Sequence, residues 1–163
     1  MYTLAIITSS DKGYKGERED KSGAVIREIA ENNGFEVIRQ VILPDEKSAL
    51  EKEMINMSDI HKAQLILTTG GTGFSKRDIT PEATKAVIDR EVPGIPEAIR
   101  AYSLTITKRA MLSRATAGIR NQTLIVNLPG SPKAVQESLE YIIDTLKHGL
   151  DVLHGGSLEC GRK

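Results

Sequence analysis

The sequence predicts an α/β protein with a mainly parallel sheet covered by helices on both faces. Short apolar runs, TLAIIT at residues 3–8, LIL at 65–67 and TLIVN at 123–127, alternate with stretches whose apolar residues recur at helical spacing. That alternation implies crossover connections and a sheet buried on both sides. A GGTG turn at residues 70–73 directly follows one of the apolar runs, as at a strand-to-helix junction. The length of 163 residues suits roughly one domain with a sizeable core, so residues 1–163 are expected to form a single unit.

The elements follow in order. Residues 3–8 read as a buried strand, and the polar stretch 9–20 as a loop with Gly13 and Gly16 inside it. Val25, Ile26, Ile29 and Ala30 give residues 22–33 a helical stripe that Asn33-Gly34 stops. FEVIRQVIL at 35–43 alternates as a strand does, and Pro44-Asp45 closes it. Residues 47–61 read as a helix with Leu50, Met54 and Met57 on one face, and 63–68 as the next strand. Pro81 suits the first turn of a helix over 81–88. A further helical pattern, at Ile99 and Leu104, follows Pro93 and Pro96; residues 123–127 form a buried strand ending in LPGSP, and 133–153 form a long amphipathic helix.

Composition narrows the function. Lys and Arg number 22 and Asp and Glu number 22, so the formal charge is 22 − 22 = 0, with no global pull toward nucleic acid or an acidic membrane. Two Phe, four Tyr and no Trp leave little for base stacking. The single cysteine, Cys160, permits no internal disulfide and is expected to be a tail thiol. The N-terminal apolar run is too short and lacks the basic lead of a signal peptide, and no stretch approaches the ~20 apolar residues of a membrane span. A cytoplasmic protein without nucleic-acid or membrane partners is expected.

The chemistry concentrates in residues 65–83, LILTTGGTGFSKRDITPEA. Glycines permit positive φ and close approach of backbone to ligand, and such a junction with exposed amides holds phosphate well. Neither familiar phosphate motif fits: Gly73 is followed by FSKR rather than by the end of a Walker loop, and Lys76 stands where a dinucleotide fingerprint needs its third glycine. A tight turn needing glycine only for geometry remains the plain alternative, but Asp78 and the nearby hydroxyls exceed what a turn requires. In parallel sheets ligands sit beyond the carboxyl ends of the strands. Four features occupy those ends: Ser9-Ser10-Asp11, Pro44-Asp45-Glu46, the loop 70–78, and Asn127-Leu128-Pro129-Gly130.

The order of these blocks, TSSD, LPDE, LTTGGTGFSKRDITPEAT, MLSRATAGIR and LIVNLPGSP, resembles the molybdopterin adenylyltransferases of molybdenum-cofactor biosynthesis, the stand-alone bacterial kind. The resemblance runs from about residue 4 to about 153. It implies a three-layer α/β/α sandwich, a homotrimer, and transfer of AMP from Mg-ATP to the terminal phosphate of molybdopterin with release of pyrophosphate. The product would pass to a molybdenum-inserting protein, hence a transient contact with it. On the same ground Asp45 and Asp78 are the essential carboxylates and hold Mg²⁺. Gly70, Gly71, Thr72, Gly73, Thr80, Ser113 and Arg114 belong to the substrate site. Ser10, Asp11, Asn127, Pro129, Gly130 and Ser131 are assigned to the nucleotide.

The chemistry agrees. A phosphate monoester has its second pKa near ~6, so the nucleophile needs no strong base, and the difficulty is bringing two anions together. Mg²⁺, amides and cationic side chains address that, and Mg²⁺ takes one or two carboxylates plus phosphate oxygens. Plainer roles stay open at several positions. Asp45 is suited to cap the following helix; Thr80 is better placed than Asp78 to cap the one at Pro81; Arg114 equally suits a surface charge and Ser113 a turn hydroxyl. Asp20 flanks the first loop, while His61, His148 and His154 show no metal-ligand spacing. Competing functions are a nucleotide pyrophosphatase on the same fold, which usually lacks the LSRxxAGIR block present at 112–120, a scaffold module, and a molybdopterin-binding paralogue with weak catalysis.

Overall fold

The structure, a computed structural model, describes residues 1–156. Four parallel strands form its centre: β1 (Thr3–Ser9), β2 (Glu36–Leu43), β3 (Leu65–Thr69) and β6 (Thr123–Leu128). Every residue of β3 and β6 is buried, as continuous Leu/Ile/Val runs covered on both faces require. Two short strands, β4 (Arg90–Glu91) and β5 (Ala117–Arg120), extend the sheet antiparallel beyond β6, giving the order β2-β1-β3-β6-β5-β4. Neither is foreseen from sequence. Asn121, at φ 52, turns β5 back into β6, a conformation Asn tolerates better than most residues.

The helices are α1 (Asp11–Tyr14), α2 (Lys21–Asn32), α3 (Lys47–Ile55), α4 (Thr80–Val87), α5 (Gly94–Leu104) and α6 (Pro132–Leu153). Alternation along β1 sends Leu4 and Ile6 to one face and Ala5 and Ile7 to the other. The first pair joins Leu65, Leu67, Val126, Ile26, Ile99, Leu139 and Ile142 in a core under α2, α5 and α6. The second joins Ile66, Ile125, Leu50, Met54, Ala83 and Val87 under α3 and α4. The result is the expected three-layer α/β/α sandwich. Truncating one of these large side chains to Ala costs about 2–5 kcal/mol.

Several boundaries differ from the sequence reading. The stretch 9–20 contains α1, capped at its start by the Ser10 hydroxyl accepting from Gly13 N. The helix expected over 47–61 is regular only to Ile55 and finishes in a π-helical turn, Asn56–Ile60. A 3₁₀ turn, Lys108–Leu112, precedes β5. Helix α6 begins at Pro132 with Ser131 as its cap. No helix among the described residues is long and apolar enough to cross a membrane. Cys160 lies outside the described residues.

Candidate functional site

Because the four central strands are parallel, the loops leaving them gather at one edge, around a cleft of about 800 Å³. Ser9 and Ser10 line it from β1, Asp45 from β2, Gly70, Gly71 and Asp78 from β3, and Gly130 and Ser131 from β6. Asp20, Lys21 and Ser22, at the start of α2, complete the wall together with Arg18.

The floor is the double-glycine turn. Gly70 has φ 89 and Gly71 φ 70, a region that costs an L-residue roughly 1–2 kcal/mol. Space forbids a side chain too: a Cβ at Gly70 would run into the Ser9 carbonyl, and one at Gly71 into the Thr80 hydroxyl. Thr80 is fully buried; its hydroxyl donates to Gly70 O at 2.9 Å and its amide to Gly71 O at 3.1 Å. It therefore staples the turn from beneath, and the cap position of α4 falls to Ile79, which offers no side-chain bond. The exit of β6 packs on the same turn. Thr69 Oγ1 donates to Pro129 O at 2.6 Å, Ser22 Oγ donates to Gly130 O at 2.7 Å, and a Cβ at Gly130 would lie 3.5 Å from Gly70 Cα.

Asp45 does not cap α3; that position is Glu46, without a side-chain bond. Its carboxylate instead accepts from Ser9 Oγ at 2.6 Å and from Asp11 N at 3.0 Å, while Asp45 N donates to Asp11 Oδ1 at 3.0 Å. Asp11 also takes a two-pronged bond from Arg77, at 2.9 and 2.8 Å. The Arg77 guanidinium first, and the Asp45 amide second, lower its pKa from 3.8 to about 2. Asp78 Oδ2 accepts from Ser75 N at 2.9 Å. Asp20 caps α2 through Gly23 N at 2.9 Å and accepts from Thr8 Oγ1 at 2.7 Å.

Other residues singled out in the sequence stand outside the cleft. Arg114 lies behind the glycine loop. It donates to Gly73 O at 2.8 Å and Asp78 O at 2.7 Å, pairs with Glu82 at 2.7 Å, and sends its own amide to Thr72 O at 2.9 Å. Ser113 and Arg114 border a separate hollow of about 280 Å³ beside Arg100. Asn127 corrects an expectation. It is fully buried, its Nδ2 donates to Thr68 Oγ1 at 3.0 Å and Thr84 Oγ1 at 2.9 Å, and its Oδ1 accepts from Thr116 N at 3.1 Å. Both amide hydrogens and one carbonyl lone pair are engaged within the fold, and the side chain is buried away from the cleft. Asp11, Thr72, Gly73 and Pro129 do not line the cleft either; Pro129 serves through its carbonyl.

Sequence reasoning passed over Arg18, Lys21 and Ser22. The signal was a basic residue at every third position, Lys12, Lys15, Arg18 and Lys21, in a stretch that reads as an ordinary solvated loop. Among the described residues no cluster of three or more His, Cys, Asp or Glu is arranged around a metal. Of the four carboxylates lining the cleft, Glu19 and Asp20 lie beside α2, where Asp20 is engaged in capping. Asp45 and Asp78 stand at strand exits, where their hard oxygens suit a metal arriving with a polyphosphate, since Mg²⁺ uses one or two carboxylates and fills its shell with phosphate oxygens and water.

A mainly parallel sheet whose strand ends gather a double-glycine turn, the carboxylates of Glu19, Asp20, Asp45 and Asp78 and the cations Arg18 and Lys21 defines an α/β protein with a polar, charged cleft. Residues 5–148 match the family described as "Probable molybdopterin binding domain", and the chain belongs to that family. It is 40% identical over 163 residues to the molybdopterin adenylyltransferase of Helicobacter pylori strain J99, covering 98% of this chain and 92% of that one. To the molybdopterin adenylyltransferase of Escherichia coli K12 it is 41% identical over 155 residues, covering 93% and 78%. Its fold superimposes on the molybdopterin biosynthesis enzyme MoaB of Thermus thermophilus with a TM-score of 0.91 at 45% identity, covering 98% and 100%.

Proposed function

We propose that the chain is a molybdopterin adenylyltransferase, moving AMP from Mg-ATP to the terminal phosphate of molybdopterin and releasing pyrophosphate. The observation that carries this reading is the meeting, in one cleft, of the Gly70-Gly71 turn with Asp45 and Asp78. The relatives named for the same activity support it.

The attacking phosphate has its second pKa near ~6 and is already ionised at neutral pH, so no residue need remove its proton. The barrier is repulsion between two anions, about 4 kcal/mol for unit charges ~4 Å apart at a dielectric of ~20, and more for polyphosphates. Arg18 and Lys21 bring positive charge to a wall that also carries Glu19 and Asp20. Helix α6 begins beside the cleft and its N-terminal end favours anions, whereas the start of α2 is already capped by the Asp20 carboxylate. Asp45 and Asp78 would hold the Mg²⁺ that accompanies ATP; when bound, it neutralises phosphate charge. Asp45 is oriented by Ser9 Oγ and the Asp11 amide, and each carboxylate keeps lone pairs beyond these bonds and the one from Ser75 N.

The reading includes a cytoplasmic homotrimer that passes its product to a metal-inserting protein. Exposed Leu104, Ile106, Met111 and Leu112 supply apolar surface for self-association, and light scattering giving a monomer across the micromolar range would count against the trimer. The activity is tested by incubating the protein with molybdopterin and Mg-ATP and separating the pterins. Adenylated pterin is expected only when both substrates are present. Nucleotide hydrolysis that proceeds equally without pterin would replace the reading with a pyrophosphatase.

A further inference from the structure

Three loops that leave three different strands meet at the rim of the cleft. Asp11 follows β1, Asp45 follows β2, and Arg77 belongs to the loop after β3, one residue before Asp78. Asp11 and Asp45 grip one another reciprocally, each amide donating to the other's carboxylate at 3.0 Å. The outer edge of the Asp11 carboxylate receives both prongs of Arg77. Of the two carboxylates assigned to Mg²⁺, Asp45 is thus clasped directly by Asp11, and Asp78 sits next in sequence to the residue that Asp11 binds.

We infer that Asp11 is a positioning residue, and that its bridge to Arg77 sets the spacing of Asp45 and Asp78 across the cleft. The inference rests on the adenylyltransferase reading for its catalytic consequence and replaces the nucleotide-binding role expected of Asp11. Asp11 is unsuited to touch phosphate: it is an anion, and it does not line the cleft. The pairing with Arg77 is fork-to-fork, the arrangement that fixes direction as well as distance. Arg77 is 56% exposed and Asp11 32%, and a pair so exposed contributes little to global stability. Its value lies in alignment, where a shift of ~1 Å can lower a rate by ~10²-fold. Arg77 also borders, with Asp45, Glu46 and Lys47, a shallow hollow, which places it beside the loop after β2 as well as against Asp11.

The test compares wild type, Asp11→Asn, Arg77→Gln and the double variant by two readouts. In amide hydrogen exchange, Arg77→Gln should accelerate the Asp45 and Asp11 amides by about tenfold or more, although Arg77 donates to neither. In adenylyl transfer, each single variant should lower kcat by roughly 10- to 100-fold with KM for Mg-ATP within about twofold, and the double variant should be no worse than the poorer single. Unchanged exchange at Asp45 overturns the bridge. A KM raised about tenfold at constant kcat in Asp11→Asn overturns positioning in favour of a nucleotide ligand. Wild-type protein that makes no adenylated pterin defeats the adenylyltransferase reading by itself, and the exchange result then judges the bridge alone.

Discussion

Replacing Asn127 with Ala separates a structural from a ligand-binding role at a position where the sequence suggested the latter. Asn127 is fully buried between β5, β3 and α4 and makes three side-chain bonds of 3.0, 2.9 and 3.1 Å. A net hydrogen bond contributes about 1 kcal/mol, and an orphaned buried donor costs about 1–3 kcal/mol. In the variant the Oδ1 bond to the Thr116 amide is lost, while the Thr84 hydroxyl keeps its bond to Thr80 O at 2.9 Å and is spared complete isolation. The expected loss is about 3 kcal/mol, or a fall in Tm of about 6–12 °C for a chain of this size. Urea unfolding should show the midpoint falling with an unchanged slope, and KM for Mg-ATP should stay within about twofold at a temperature where the variant is folded. A loss below about 0.5 kcal/mol together with a KM raised tenfold would refute the assignment and return Asn127 to the nucleotide.

Other outcomes follow from the same geometry. Asp78→Asn should lower turnover by ~10²–10³-fold, as removal of an essential electrostatic contact does, with little change in Tm; full activity at low Mg²⁺ would make Asp78 structural. Gly71→Ala combines positive φ with a collision at Thr80 and should destabilise by about 2–4 kcal/mol; a variant unfolding at the wild-type temperature would contradict the tightness of the turn. Asp11 has its pKa depressed from 3.8 to about 2, chiefly by Arg77. Its ionised form therefore favours the folded state above pH ~4, and that contribution fades as pH falls from ~4 toward ~2. Arg77→Gln should flatten the acid limb of the stability curve across that window; an identical limb in both proteins would show that the pair does not form in solution.

The central strands were legible because β1, β3 and β6 are apolar runs buried on both faces, and such runs need no partner to be recognised. The edge strands were not. β5 is the tetrapeptide AGIR, β4 is only Arg90–Glu91, and both exist through antiparallel pairing to β6 and to each other. The site divides in the same way. Asp45, Asp78 and the Gly70-Gly71 pair stand at strand exits, where chain direction alone brings them together. Thr80, Arg114 and Asn127 carry chemically suggestive groups in suggestive motifs, but each is spent on holding the fold, Thr80 and Asn127 from within and the part-exposed Arg114 from behind the glycine loop. Burial and partner choice depend on residues 10 to 59 positions away in the chain, which local pattern does not encode. Arg18 and Lys21 were passed over for the opposite reason, since charge in a polar loop resembles solvated surface until the fold curls it over the cleft.

Whether this cleft transfers the AMP moiety between two bound anions is open to direct measurement. ATP labelled at its α-phosphate is followed through a single turnover with molybdopterin and Mg²⁺, in wild type and in Asp45→Asn, across neutral and mildly alkaline pH. Label is expected in adenylated pterin, with pyrophosphate released in step with the pterin modified. A uniform loss is expected in the variant at every pH, because the attacking phosphate, with its second pKa near ~6, is ionised without help. Label recovered as free AMP would contradict transfer. Substantial rescue of Asp45→Asn at high pH would contradict the role of that carboxylate as a metal-positioning group.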